Sequence, residues 1–269
     1  MRIMSLLVLA TLCTVQALGA EVPAVEIFNE VAMVKLPGGT FSMGDADGAE
    51  DAQVVRQVTL SPFYMDIYEV TQKEFNRHMD INPSKFDDQQ GPVERVRWME
   101  AAEYCNARSR AENLTPCYNE ETWECNFEAD GYRLPTEAEW EFACRAGSTD
   151  ALPFAAEELS RHAWIRSNSK SKTHAVGEKK PNAWGLYDMF GNVAEWCNDY
   201  YAPYDPAQTD NPTGPATGEK RVLRGSDWSS RPGRISSAAR TADDPANADI
   251  CQGYDTYGFR CVKRVKESE

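Results

Sequence analysis

Histidine is scarce in this chain of 269 residues: three in all, His78, His162 and His174, far apart in sequence. No HExxH pair, CxxC pair, GxSxG elbow or phosphate-binding glycine loop occurs, so the metalloprotease, thioredoxin-like, α/β-hydrolase and P-loop signatures are all missing. Positive charge is also in short supply, with 28 Lys and Arg against 42 Asp and Glu and a formal net charge of -14. Such a balance repels polyphosphate and anionic lipid at range, which argues against nucleic acid as a partner. Beyond the first twenty residues no apolar run approaches the ~20 residues of a membrane-spanning helix. Nor is there an internal repeat, a low-complexity tract or a linker that would divide the chain.

What is present is a hydrophobic fraction of 42%, enough to bury a sizeable core. Met1-Arg2 followed by an apolar run over Leu6 to Val15 reads as a secretory signal peptide over residues 1–19, with cleavage after Gly19 and Ala20 the adjacent alternative. The mature product is expected to be secreted or periplasmic, with no membrane insertion after cleavage. Cleavage removes Arg2 and Cys13 and leaves a net charge of -15 and seven cysteines, an odd number that cannot all pair within one chain.

Residues 20–30 read as a lead-in, 31–265 as one domain and 266–269 as a tail. Val31 to Met43 reads as a strand, a Pro-Gly-Gly turn and a second strand, and Val54 to Tyr68 carries two more β-rich runs. Thr71 and Glu74 form a capping box before a helix expected to reach about Met79. Trp98 to Glu112 is a helical stretch with Ala102 and Cys105 inward, and Thr136 with Glu139 caps a third helix that should end near Arg145. After it come loop-rich stretches broken by short aromatic clusters.

The ordered segments Met43-Gly44, Glu69-Val70-Thr71, Val96-Arg97-Trp98, Tyr132 to Glu141 (YRLPTEAEWE), Gly185 to Met189 (GLYDM), Gly191 to Trp196 (GNVAEW), Arg221 to Ser226 (RVLRGS) and Gly258-Phe259-Arg260 resemble the formylglycine-generating enzyme, or sulfatase-modifying factor, family. The resemblance spans about Val31 to Val265. It implies a single irregular, loop-rich α+β domain of the C-type-lectin-like kind. It also implies a cleft where, in the oxidase of the family, two cysteines bind copper and activate oxygen. This chain has no cysteine between Arg224 and Arg240, and Ser229 stands where the first would align. A serine hydroxyl neither ionises near neutral pH nor ligates Cu(I) well. Copper is therefore not expected.

Further expectations follow from the same resemblance. Cys105 and Cys261 match a structural disulfide, whereas the partner expected for Cys144 is replaced by Ser237. A local bridge between Cys117 and Cys125 is the next expectation from the residues, leaving Cys144, Cys197 and Cys251 to supply at least one free thiol. Asp188, Gly191, Val193 and Glu195 match a calcium-binding turn with two side-chain and two carbonyl ligands. An EF-hand-like spacing over Asn126, Glu128, Asp130, Gly131 and Glu137 is refuted by Arg133 and Pro135 inside it.

Ser226, Asp227, Trp228, Ser229 and Arg240 are expected around the cleft, Trp228 for stacking and Arg240 for an anionic group. Packing and a structural ion pair are the competing roles for those two. The expected function is binding of a peptide or small molecule, with a sulfatase among the candidate partners, without thiol-copper oxidase chemistry. The rival is an enzyme, either a formylglycine generator acting on sulfatase cysteines through displaced thiols or an oxidative tailoring enzyme of the same family.

Overall fold

The computed structural model describes residues 23–245 and 255–266. The expected signal peptide and Cys251 lie outside them. Strands β1 (Val25–Phe28), β2 (Val31–Leu36), β3 (Gly39–Met43), β4 (Arg56–Leu60) and β5 (Phe63–Asp66) come first, followed by the short helix α1 (Gln72–Phe75). Helices α2 (Trp98–Ala111), α3 (Glu137–Arg145) and α4 (Leu159–His162) occupy the middle of the chain. Strands β6 (Ala194–Tyr200), β7 (Arg221–Arg224), β8 (Thr241–Asp243), β9 (Tyr257–Gly258) and β10 (Val262–Arg264) close it.

The strands form three small sheets. One runs β1-β2-β5-β10, all antiparallel, a second is the β3-β4 pair, and the third runs β8-β7-β6-β9, with β6 and β9 parallel. The last strand of the chain thus pairs with β5 from its first quarter, and Val262 also bridges to Arg133 just ahead of α3. Within the expected lead-in, Val25 to Phe28 pairs residue by residue with β2. Val25 and Ile27 face outward, 53% and 66% exposed, so the segment shows no inward apolar pattern to read.

Helix ends follow the capping residues. Thr136 Oγ1 accepts the Glu139 amide at 3.2 Å and the Glu139 carboxylate accepts the Thr136 amide at 2.8 Å, the reciprocal box that fixes the first turn of α3. Thr71 Oγ1 likewise accepts the Glu74 amide at 3.1 Å, but the Glu74 carboxylate turns to Arg77 and α1 stops at Phe75, short of the expected Met79. α2 matches its expected span, with Ala101, Ala102 and Cys105 buried.

The apolar interior is divided in two. One cluster gathers around Trp140, Phe142, Phe63 and Trp184, the other around Trp98, Tyr104, Trp196 and Phe259. α3 lies between the sheets with every residue buried, its acids included. That arrangement is stable only because each acid meets a cation.

Candidate functional site

A cleft of about 760 Å³ opens beside the end of β7. One wall is the loop from Asp45 to Ala52; the other is the chain from Gly225 to Thr241, and Thr256 and Tyr257 contribute below. At the corner the backbone takes positive φ twice in succession, at Gly225 (98°) and Ser226 (65°). Gly225 has a structural reason, since a Cβ there would stand 3.0 Å from the Trp140 ring. Ser226 carries a side chain in a region that disfavours one. It lines the cleft.

The cleft wall is braced from behind by buried charge. Arg224 donates to Glu141 at 2.5 Å, to Glu137 at 3.2 Å and to the carbonyls of Ser237 and Ala238. Glu141 also takes the Arg145 side chain at 2.8 Å and the Gly44 amide at 2.8 Å, which ties the opposite wall to the same helix. Behind them Asp199 accepts the Glu137 amide at 2.9 Å. Burial, and then the neighbouring Glu137, push the Asp199 carboxyl up to about 8.

The expected cleft residues divide. Ser226, Asp227 and Arg240 line the cavity, whereas Trp228 and Ser229 are not among its lining residues. Asp227 accepts the Ser229 amide at 2.6 Å and the Ser230 hydroxyl at 3.0 Å, so its carboxylate shapes its own turn. That turn carries Trp228 away from the cavity, where its amide donates to Asn192 O and its indole N–H to Asp255 O. Trp228 anchors the loop, its ring edge-on to Phe86. Arg240 takes the structural ion pair of its two expected roles: Glu137 receives two of its N–H groups at 2.6 and 2.8 Å, and the Asp51 and Ala202 carbonyls receive others at 3.0 Å. A guanidinium so engaged braces the cleft and has no free face for an anionic ligand.

The turn expected to bind calcium is organised otherwise. Arg260 donates to Glu195 at 2.6 and 2.7 Å, and the Trp140 indole adds a third hydrogen bond at 2.8 Å, so both oxygens of this fully buried carboxylate are engaged. Glu69, from the segment after β5, accepts the Asn192 side-chain amide at 2.6 Å and the Val193 N–H at 3.0 Å. Asp188 accepts the Gly177 amide at 2.7 Å through one oxygen, and the other is buried without a partner. Burial above all pushes Asp188 up to about 6 and Glu69 well above the usual range. Gly191 sits where a Cβ would fall 2.1 Å from Trp164 O. As arranged, Glu195 gives both carboxylate oxygens to Arg260 and Trp140, whereas Asp188 keeps one buried oxygen without a partner.

The thiols stand apart from the cleft. Cys105 and Cys261 are both buried with their sulfurs 3.6 Å apart, in contact as thiols and not joined; a disulfide would bring them to about 2.05 Å. Cys117 and Cys125 sit at neighbouring points of one small turn, where the Asn126 amide donates to Cys117 O, and they too are free thiols. Burial pushes Cys117 up to about 11 and Cys125 up to about 12, and raises Cys105, Cys144 and Cys197 well above the ordinary thiol value. None of the described cysteines lines the cleft.

Three small sheets, long loops and a braced cleft beside β7 define an irregular α+β domain of the sulfatase-modifying factor kind. The profile of the "Sulfatase-modifying factor enzyme 1-like domain" matches residues 20–265, and the chain belongs to that family. It is 35% identical to a serine/threonine-protein kinase, pkn1, of Chlamydia pneumoniae over 87% of this chain, which spans only 38% of the kinase. It is 29% identical to the formylglycine-generating enzyme of Streptomyces coelicolor, with 89% of this chain and 91% of the enzyme covered. Among solved structures, Treponema denticola variable protein 1 superposes with a TM-score of 0.80 at 32% identity, covering 91% of this chain and all of that one. PvdO from Pseudomonas aeruginosa gives 0.76 at 26% identity over the same shares.

Proposed function

We propose that the protein is an exported member of the sulfatase-modifying factor family that holds a peptide or small molecule in the cleft beside β7 and carries out no thiol-copper oxidation. One observation carries this reading: the cleft is lined by Ser226, Ser230 and Ser236 and by no described cysteine, and away from it burial raises Cys105, Cys117, Cys125, Cys144 and Cys197 above the ordinary thiol value. Copper does not fit this donor set, because hydroxyls stay protonated and are poor ligands for Cu(I). The cavity has the size of ordinary small-molecule sites, and its polar walls suit a hydrogen-bonding ligand.

The test uses the mature protein with a Cys-X-Pro-X-Arg peptide, copper and oxygen, following the peptide mass. The expected result is an unchanged cysteine, with saturable binding of peptide or small-molecule probes that Ala239→Trp, placed in the cleft wall, abolishes. Conversion of the cysteine to an aldehyde would sink the binding-only reading.

A further inference from the structure

Charge in this chain is segregated. Residues 161–180 carry six cations, Arg161, Arg166, Lys170, Lys172, Lys179 and Lys180, against one acid, Glu178, in a molecule with a net charge of -14. Cations elsewhere mostly face carboxylates, as Arg108, Arg133, Arg224, Arg240 and Arg260 do in the interior. Arg161 pairs with Glu158, and Lys179 lies over the Trp164 ring. Arg166, Lys170, Lys172 and Lys180 are exposed and form no ion pair among the described residues, and the same holds for Arg231 and Arg234 on the neighbouring loop.

These two sets of cations belong to one surface. The Arg166 amide donates to Ser230 O at 3.1 Å, and the hydroxyl of buried Ser169 donates to Trp228 O at 2.9 Å. The segment is therefore fixed to the loop that forms the cleft wall. Arg234 lines the cleft itself. Just before Lys172 the chain holds Lys170 and Ser171 at φ 57° and 59°, a backbone disfavoured for residues with side chains. Ser169 secures it by accepting the Ser171 amide at 3.2 Å, with the His174 ring nitrogen 2.7 Å from Ser169 O. This is a constructed ridge.

We propose that the ridge is the docking surface for the acidic flank of a polypeptide ligand, whose Asp or Glu side chains meet Arg166, Lys170, Lys172, Arg231 and Arg234 while the adjoining stretch enters the cleft. The proposal rests on the cleft reading above. Unpaired cations in an otherwise acidic molecule steer and orient an anionic partner at short range. A polynucleotide would run off the ridge onto surface of its own sign. A membrane would need apolar anchors beside the cations, and among the described residues the large exposed apolar ones, Val25, Ile27, Val54, Val55 and Ile81, come from other segments.

The experiment follows the anisotropy of a fluorescein-labelled Glu-rich peptide and of its Gln counterpart with the mature protein. The Glu peptide should bind at least about tenfold more tightly, and the preference should collapse as NaCl rises from about 0.05 to 0.3 M. A variant combining Arg166→Gln, Lys170→Ser, Lys172→Ser, Arg231→Gln and Arg234→Gln should lose that preference with its melting temperature preserved. Equal binding of both peptides, unchanged binding by the variant, or no binding of the Glu peptide overturns the ridge proposal. Comparable binding of polyadenylate or of phosphatidylserine vesicles overturns the polypeptide assignment. Ala239→Trp separates the two readings: if it leaves Glu-peptide binding intact the cleft reading falls and the ridge stands, whereas loss of both peptides supports the pair.

Discussion

The cleft loop and the helix behind it satisfy their polar groups in opposite ways. In the loop Asp227 bonds to Ser229 and Ser230, partners two and three residues along. In α3 Glu137 and Glu141 bond to Arg224 and Arg240, between 83 and 103 residues away. Although the loop backbone is tied to Asn192 and Arg166, its Asp227, Ser229 and Ser230 contacts are short-range, so a serine hydroxyl there can change without stranding a buried charge. A long-range network cannot, because removing one member leaves its partner charged and buried. The comparison locates the chain's rigidity in the network behind the cleft and its room for change in the cleft loop.

Breaking the network gives the largest effect. Arg224→Met leaves Glu141 and Glu137 short of a cation and should cost about 3–5 kcal/mol in urea unfolding. A loss under about 1 kcal/mol would mean that the network is not the brace described.

The second effect is in the pH dependence. Asp199 holds its proton in the folded chain up to about 8, and Glu94, raised chiefly by burial, up to about 7. Unfolded, both ionise near 4. Between those limits the unfolded chain binds fewer protons, so their contribution to stability falls as pH rises, by up to about 1.4 kcal/mol per unit and group, and levels off above about 8. Asp199→Asn should flatten that slope in melts recorded from pH 5 to 8; an unaltered slope would assign it elsewhere.

Smaller effects sharpen the comparison. Thr136→Ala removes the cap of α3 and should cost about 1 kcal/mol. Ser230→Ala in the cleft loop should stay within about 0.5 kcal/mol of the parent, because a self-contained turn retains its other hydrogen bonds. Added calcium should leave the melting temperature where it is, and a clear rise would reopen the turn at Asp188 to an ion.

Helices α2 and α3 were legible because capping and periodicity are local signals, carried by Thr136 with Glu139 and by Trp98 to Ala111. Family order of motifs supplied the frame and brought Cys105 near Cys261. Between the two roles expected for Arg240 the sequence could not choose, because nothing near it in sequence shows that Glu137 awaits its side chain. Glu69 and Arg260 stood inside quoted motifs, but their claim on the Asp188 to Glu195 turn lies in contacts across the chain. β1 escaped notice because Val25 and Ile27 point outward and only Phe28 packs inward.

That strand also has a practical meaning. β1 covers the outer hydrogen-bonding edge of β2 over four residue pairs. A chain trimmed to begin at Val31 would leave that edge bare, a ready template for strands of other molecules. Self-association of such a truncation would then report an uncovered sheet margin and say nothing about how the native protein assembles.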